Sequence, residues 1–226
     1  MELLIFGHEG PPVLFFPTRM ARFYDYEDWG VINALKEKIV SGQIQLFCID
    51  SFDKESFYCK TILPLERIKK HLQFEKYLLD ELIPFISQEN ENPHLISAGC
   101  SLGAYHAVNI AFRHPLLFKK VIGISGRYDL TIHLQFYNDL FDGYRNEDIY
   151  FNMPSQYIPN LTDEAFIHSL QNLEIIFIVG NEDAFLENNI LLSDHLKKKN
   201  IPNILHLMEG EAHKPKYWGE LLKLYL

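Results

Sequence analysis

Gly99-Cys100-Ser101-Leu102-Gly103 holds the residue types a nucleophilic serine needs, at the spacing it needs them. Leu95-Ile96-Ser97-Ala98 before it reads as a short buried strand. Tyr105, Val108, Ile110 and Ala111 after it follow a helical pattern that ends near Arg113-His114-Pro115. A strand that doubles back into a helix brings backbone against backbone two residues either side of the turn, so both flanking positions exclude a Cβ. Ser101 then stands at the turn, and the helix behind it aims N–H groups and a positive dipole end at any oxyanion that forms there.

A serine hydroxyl is a poor nucleophile at neutral pH. The chemistry therefore needs a histidine base and a carboxylate that fixes the histidine's tautomer and stabilises its charged form. Asp183 falls just beyond the apolar run Ile175-Ile176-Phe177-Ile178-Val179, and His213 just beyond Ile204-Leu205-His206-Leu207-Met208. Ser101, Asp183 and His213 follow the chain order nucleophile, acid, base of the α/β-hydrolase arrangement. Two other carboxylates compete for the acid's place: Glu182 beside Asp183, and Asp129 after the run Lys120–Ser125. His206 falls within a strand, and His106, His114 and His195 on helices or their ends, where histidines pack or meet solvent more often than they act as bases.

The elements that must carry these residues alternate between strand and helix. Glu2–Phe6 and Pro12–Phe16 flank a turn at Gly7-His8-Glu9-Gly10 and read as an antiparallel hairpin. The second run is apolar throughout, as a strand covered on both faces must be. Asp25 opens a helix carrying Val31, Ile32, Leu35 and Ile39 and closed by Gly42, and Gln45–Asp50 is the next buried strand. A long helix from Pro64 to about Gln88 precedes the strand that leads into Ser101. Strands at Lys120–Ser125, Leu173–Val179 and Asn203–Met208 follow, with a helix from about Leu186 to Lys199 between the last two. Such alternation implies the α/β class, a mainly parallel sheet built by right-handed crossovers with helices on both faces.

From Tyr128 to about Leu170 no strand is expected, and the segment is rich in rings: Phe136, Tyr137, Phe141, Tyr144, Tyr150, Phe151 and Tyr157. It reads as a helical or irregular insertion, a cap-like segment over about 130–170, lying over the carboxyl edge of the sheet where ligands bind. Its rings either wall a substrate site or simply pack the insertion down.

A chain of 226 residues, 47% hydrophobic and 23% charged, is most simply one domain over 1–226 with its own core. Its net charge of −9 excludes the basic face that nucleic acid or an anionic membrane would require. Cys48, Cys59 and Cys100 lack metal-ligand spacing, and Cys48 and Cys100 lie in apolar runs as buried thiols do, so no metal is expected. No basic-then-apolar leader opens the chain and no run approaches the roughly 20 apolar residues that span a bilayer, so a cytoplasmic enzyme is the expectation. The oligomeric state stays open, a homo-oligomer included.

Pro12-Val13-Leu14-Phe15-Phe16-Pro17-Thr18, Gly99-Cys100-Ser101-Leu102-Gly103, the insertion residues Gly143-Tyr144 and Asp148–Pro154, and His213 with Tyr217-Trp218 together resemble the putative-esterase branch of the α/β-hydrolases, the esterase D and feruloyl-esterase-like proteins. That resemblance implies the α/β-hydrolase fold, no cofactor, and hydrolysis or transfer of an acyl group on a small-molecule ester through a serine acyl-enzyme. Where such proteins commonly carry glycines after the first long strand, this chain has Pro17-Thr18-Arg19-Met20-Ala21-Arg22. By position, Leu102 supplies one oxyanion N–H and Met20 the other, or Arg19 makes the hole. The expected activity is a serine esterase acting on a small or aryl ester. An acyltransferase with the same triad, and a non-catalytic binding protein of this fold, are the alternatives.

Overall fold

The structure is a computed structural model and describes residues 1–134 and 136–226. Strands β1 (Leu3–Phe6), β2 (Pro12–Phe16), β3 (Gln45–Ile49), β4 (Ile96–Cys100), β5 (Lys120–Ile124), β6 (Glu174–Gly180) and β7 (Ile204–Met208) form one sheet in the order β1-β3-β2-β4-β5-β6-β7. All neighbours are parallel except β1 with β3.

The expected hairpin of the first two strands does not form. β1 pairs antiparallel with β3 instead, Leu3 opposite Ile49 and Phe6 opposite Leu46, and β3 lies between β1 and β2. Burial explains the exchange. Gln45–Ile49 is buried along its whole length and belongs inside the sheet, whereas β1 is half-buried to exposed and can serve as the edge. The connection then has to cross two strand spacings, roughly 10 Å. It does so over the start of β3, with Gly7 and Gly10 at positive φ and a Cβ at either excluded by the backbone of residues 42–45.

Helices cover both faces. Helices α2 (Val31–Val40) and α10 (Pro215–Lys223) pack Val31, Leu35, Trp218 and Leu222 against Val13, Phe15, Leu46 and Ala98. On the other face α3 (Pro64–Tyr77), α4 (Ile83–Glu89), α5 (Leu102–Arg113) and α9 (Leu186–Lys198) pack Phe74, Ile86, Val108 and Leu192 against Leu14, Phe16, Val121 and Phe177. Because β2 sends successive residues to opposite faces, both must be apolar; each Phe or Leu so buried contributes roughly 1.5–3 kcal/mol.

Two helices differ from their sequence pattern. The helix expected from Asp25 breaks into a short α1 (Asp25–Asp28) and α2, because Gly30 takes φ +76 between them. The long helix from Pro64 contains a π-helical turn at Leu78–Leu82 ahead of Pro84. Proline lacks the N–H for the i−4 carbonyl and clashes with it, and a widened turn relieves both. After β5 the chain forms α6 (Glu147–Tyr150), α7 (Pro154–Tyr157), a 3₁₀ turn at Ile158–Asn160 and α8 (Glu164–Gln171), with Asn146 and Asp163 capping α6 and α8. Among the described residues no helix is long and apolar enough to cross a membrane.

The C-terminal end of α5 is fastened to α3 by buried Glu75, which accepts from Arg113 Nε at 2.9 Å and meets His114 Nε2 at 2.7 Å. Burial pushes the Glu75 carboxyl up, but His114 and Arg113 outweigh it and hold it at about 2. A carboxylate depressed in the folded state stabilises above its unfolded value and stops doing so as pH falls through the folded one. The contribution, about 3 kcal/mol at neutral pH, should therefore vanish between about pH 5 and pH 2. Chemical denaturation of Glu75→Gln should show a deficit of that order at pH 7 that shrinks on acidification; a pH-independent deficit would exclude this role.

Candidate active site

Ser101 occupies the turn between β4 and α5 with φ +58 and ψ −119, a conformation held by its surroundings. A Cβ on Gly99 would run into the Gly103 carbonyl, and one on Gly103 into the Phe16 carbonyl. Both glycines are thus required by the close approach that the sequence spacing predicts. Tyr26 ties the turn to β2: stacked on Phe15 with ring centroids 4.0 Å apart, its hydroxyl donates to the Phe16 carbonyl and accepts from the Cys100 N–H.

The three residues expected after different strands meet here. His213 Nε2 lies 2.7 Å from Ser101 Oγ, and His213 Nδ1 lies 3.5 Å from Asp183 Oδ1. The loop that carries His213 is pinned by Trp218, whose indole N–H donates to the Ala212 carbonyl, and the ring stands beside Phe185 and Tyr137. Asp183 is buried and accepts from the Phe185 N–H. Burial pushes its carboxyl up, but His213 and the Phe185 N–H outweigh that and keep it below the ordinary aspartate range. A carboxylate that stays ionised beside Nδ1 favours the tautomer with the proton on Nδ1, leaving Nε2 free to accept from the hydroxyl.

The competing groups lie elsewhere. Asp129 is spent on Thr131 and Gln156, and Glu182 points to solvent. His106 pairs with Asp53, His71 with Asn152, His114 with Glu75 and His206 with Tyr225.

The loop after β2 corrects one expectation. The Met20 N–H donates to the buried Asp53 carboxylate at 3.1 Å, so it is not the donor facing Ser101. Asp53 in turn meets His106 Nε2 at 2.9 Å. Burial pushes the Asp53 carboxyl up, yet His106 and the Met20 N–H leave it below the ordinary range. The physical reason is the missing glycine: Met20 sits at φ +55, which costs a non-glycine residue on the order of 1–2 kcal/mol, and the bond to Asp53 helps hold it there. Thr18 and Arg19, with Leu102, are the residues of this region that line the cavity.

That cavity, about 280 Å³, opens over Ser101 and His213. Among the described residues Tyr137 is the one ring of the insertion that lines it; Phe141 and Tyr157 are buried in cores, and Phe136 is exposed. Of the two readings left open for these rings, Tyr137 follows the first, and the others pack the insertion down or face solvent. Sequence reasoning missed Tyr58, Arg127 and Asp53. Arg127 and Asp53 both follow a strand's carboxyl end, as Asp183 and His213 do, and that placement is the signal that could have found them.

A mainly parallel sheet with the serine turn, a carboxylate and a histidine beyond the carboxyl ends of β4, β6 and β7 has the α/β-hydrolase fold. The sequence matches the family model described as "Putative esterase" over residues 26–223, and the chain belongs to that family. It is an esterase, a carboxylic ester hydrolase. Solved structures of the same fold include a ferulic acid esterase, with TM-score 0.76 and 17% identity over 99% of this chain and 90% of that one. An S-formylglutathione hydrolase from Agrobacterium tumefaciens aligns at TM-score 0.71 and 16% identity, covering 98% and 87%. A fluorophosphonate-binding serine hydrolase of Staphylococcus aureus aligns at 0.63 and 14%, covering 96% and 82%. No curated protein matches the sequence.

Proposed function

We propose that the protein is a serine esterase that works through an acyl-enzyme on a small or aryl ester, with Ser101 as nucleophile, His213 as base and Asp183 as the group that orients it. The observation that carries this reading is His213 Nε2 at 2.7 Å from Ser101 Oγ, while its Nδ1 is directed to a buried carboxylate. His213 takes the hydroxyl proton as Oγ attacks the ester carbonyl, then returns it to the leaving alcohol; water, deprotonated by the same ring, releases the acid. The 3.5 Å spacing to Asp183 shortens as the imidazolium forms, since such bonds tighten in the reacting complex. The oxyanion is held by the Leu102 N–H at the start of α5 and, across the cavity, by the Arg19 N–H, the loop position beside the amide that Asp53 occupies.

Labelling by a fluorophosphonate tests the serine and the hole together without requiring deacylation. Ser101 should be labelled, as read by intact mass and peptide mapping, and His213→Ala should block the labelling. Turnover of 4-nitrophenyl acetate should be measurable. Labelling without turnover would replace hydrolysis by acyl transfer, and folded protein that is not labelled would leave only a binding role.

A further inference from the structure

The arginines stand at 19, 22, 67, 113, 127 and 145. Arg22, Arg67, Arg113 and Arg145 each pair with a carboxylate, to Asp50, Asp142, Glu75 and Asp139 respectively. Arg19 and Arg127 pair with none among the described residues, and both line the cavity over Ser101. Among the described residues no Asp or Glu lines that cavity, in a chain whose net charge is −9.

Arg127 is only 3% exposed. Its Nη2 donates to the carbonyls of Leu130, Ile132 and Asn138, which are neutral acceptors, and its buried Nε has no partner among the described residues. Its guanidinium lies over the Tyr137 ring at 5.9 Å, and that of the exposed Arg19 over Tyr58 at 5.8 Å. A buried cation that no carboxylate touches is costly: Asp129 and Asp139 act on it only from a distance, and burial outweighs them and pushes this guanidinium below the usual arginine range. An anion entering the cavity would supply such a charge in contact, and the Arg127 guanidinium, already held by three carbonyls, loses little freedom in accepting it.

We infer that the esterase reads a carboxylate on its substrate: an ester whose acyl or alcohol part carries that anion, received by Arg127 and Arg19 while the ester carbonyl lies at Ser101. This rests on the reading of Ser101 as the nucleophile, so the test keeps the two apart. The monoester of adipic acid with 4-nitrophenol against 4-nitrophenyl hexanoate places the anion on the acyl side. 3-Carboxyphenyl acetate against 3-carbamoylphenyl acetate places it on the alcohol side.

One of the two pairs should favour the anionic member in kcat/KM on the order of 10- to 100-fold, after subtraction of spontaneous hydrolysis. Arg127→Gln should remove most of that ratio and Arg127→Lys should restore part of it. Since Arg127 also holds three carbonyls of the insertion, its variants are first checked by thermal unfolding. If Arg127→Gln does not fold, Arg19→Glu, an exposed substitution, carries the test and should invert the preference. Turnover of the neutral esters with equal rates for both members of both pairs would overturn the inference while leaving the esterase standing.

If no ester is turned over, the anion site is read from binding, because both tryptophans, Trp29 and Trp218, line the cavity. A saturable fluorescence change with adipate that exceeds the response to hexanol and weakens in Arg127→Gln or Arg19→Glu would support the inference. No saturable change with adipate would reject it.

Discussion

Ser101→Ala should abolish ester turnover, with a loss in kcat on the order of 10⁶ expected for a nucleophile that acts as one unit with its base. The fold should survive. The hydroxyl's hydrogen bond is to His213, and the turn around it is held by backbone and by Tyr26, whose hydroxyl bridges Phe16 and Cys100 without touching the Ser101 side chain. The thermal midpoint of the variant should therefore stay near that of the parent, and fluorophosphonate should label neither Ser101→Ala nor any other serine. Turnover in purified Ser101→Ala within tenfold of the parent would remove Ser101 from the chemistry.

Asp183→Asn should lower kcat by about 10⁴, since an amide beside Nδ1 favours the tautomer that puts a proton on Nε2, where the serine hydroxyl needs an acceptor. The contrast with its neighbours is the informative part. Glu182→Gln removes a charge that faces solvent and should leave kcat within a few-fold. Asp129→Asn weakens the bonds to Thr131 and Gln156 and should lower stability more than rate. Steady-state kinetics on one ester, set beside thermal unfolding of each variant, separates these outcomes. A large rate loss in Asp129→Asn with a mild one in Asp183→Asn would move the acid to the loop after β5.

The glycines that flank Ser101 were legible in the sequence because their requirement is local. Gly99 and Gly103 lie within one strand-turn-helix unit, and the atoms that exclude a Cβ, the carbonyls of Gly103 and Phe16, follow from the turn itself and the strand beside it. The alternation of apolar strands with amphipathic helices was legible for the same reason: a strand covered on both faces must be apolar at successive positions, as β2 is. The order Ser101, Asp183, His213 could be read because parallel strands present their following loops at one edge of the sheet, so residues far apart in the chain become candidates for one site.

What the sequence by itself determined is therefore what short-range sterics and the period of apolar residues dictate: the α/β class, the serine turn, and the loops from which an acid and a base could come. Tertiary structure alone decided the rest. A four-residue glycine-rich turn permits a hairpin, but only competition among strands for the interior places β3 between β1 and β2. The amide of Met20 looks free in the sequence, but the carboxylate that takes it, Asp53, is 33 residues away. The place of Arg127 after a strand end marks it as a candidate, but not as unpaired, because whether a charge finds a partner depends on which side chains the finished fold brings within reach, and among the described residues no carboxylate pairs with it.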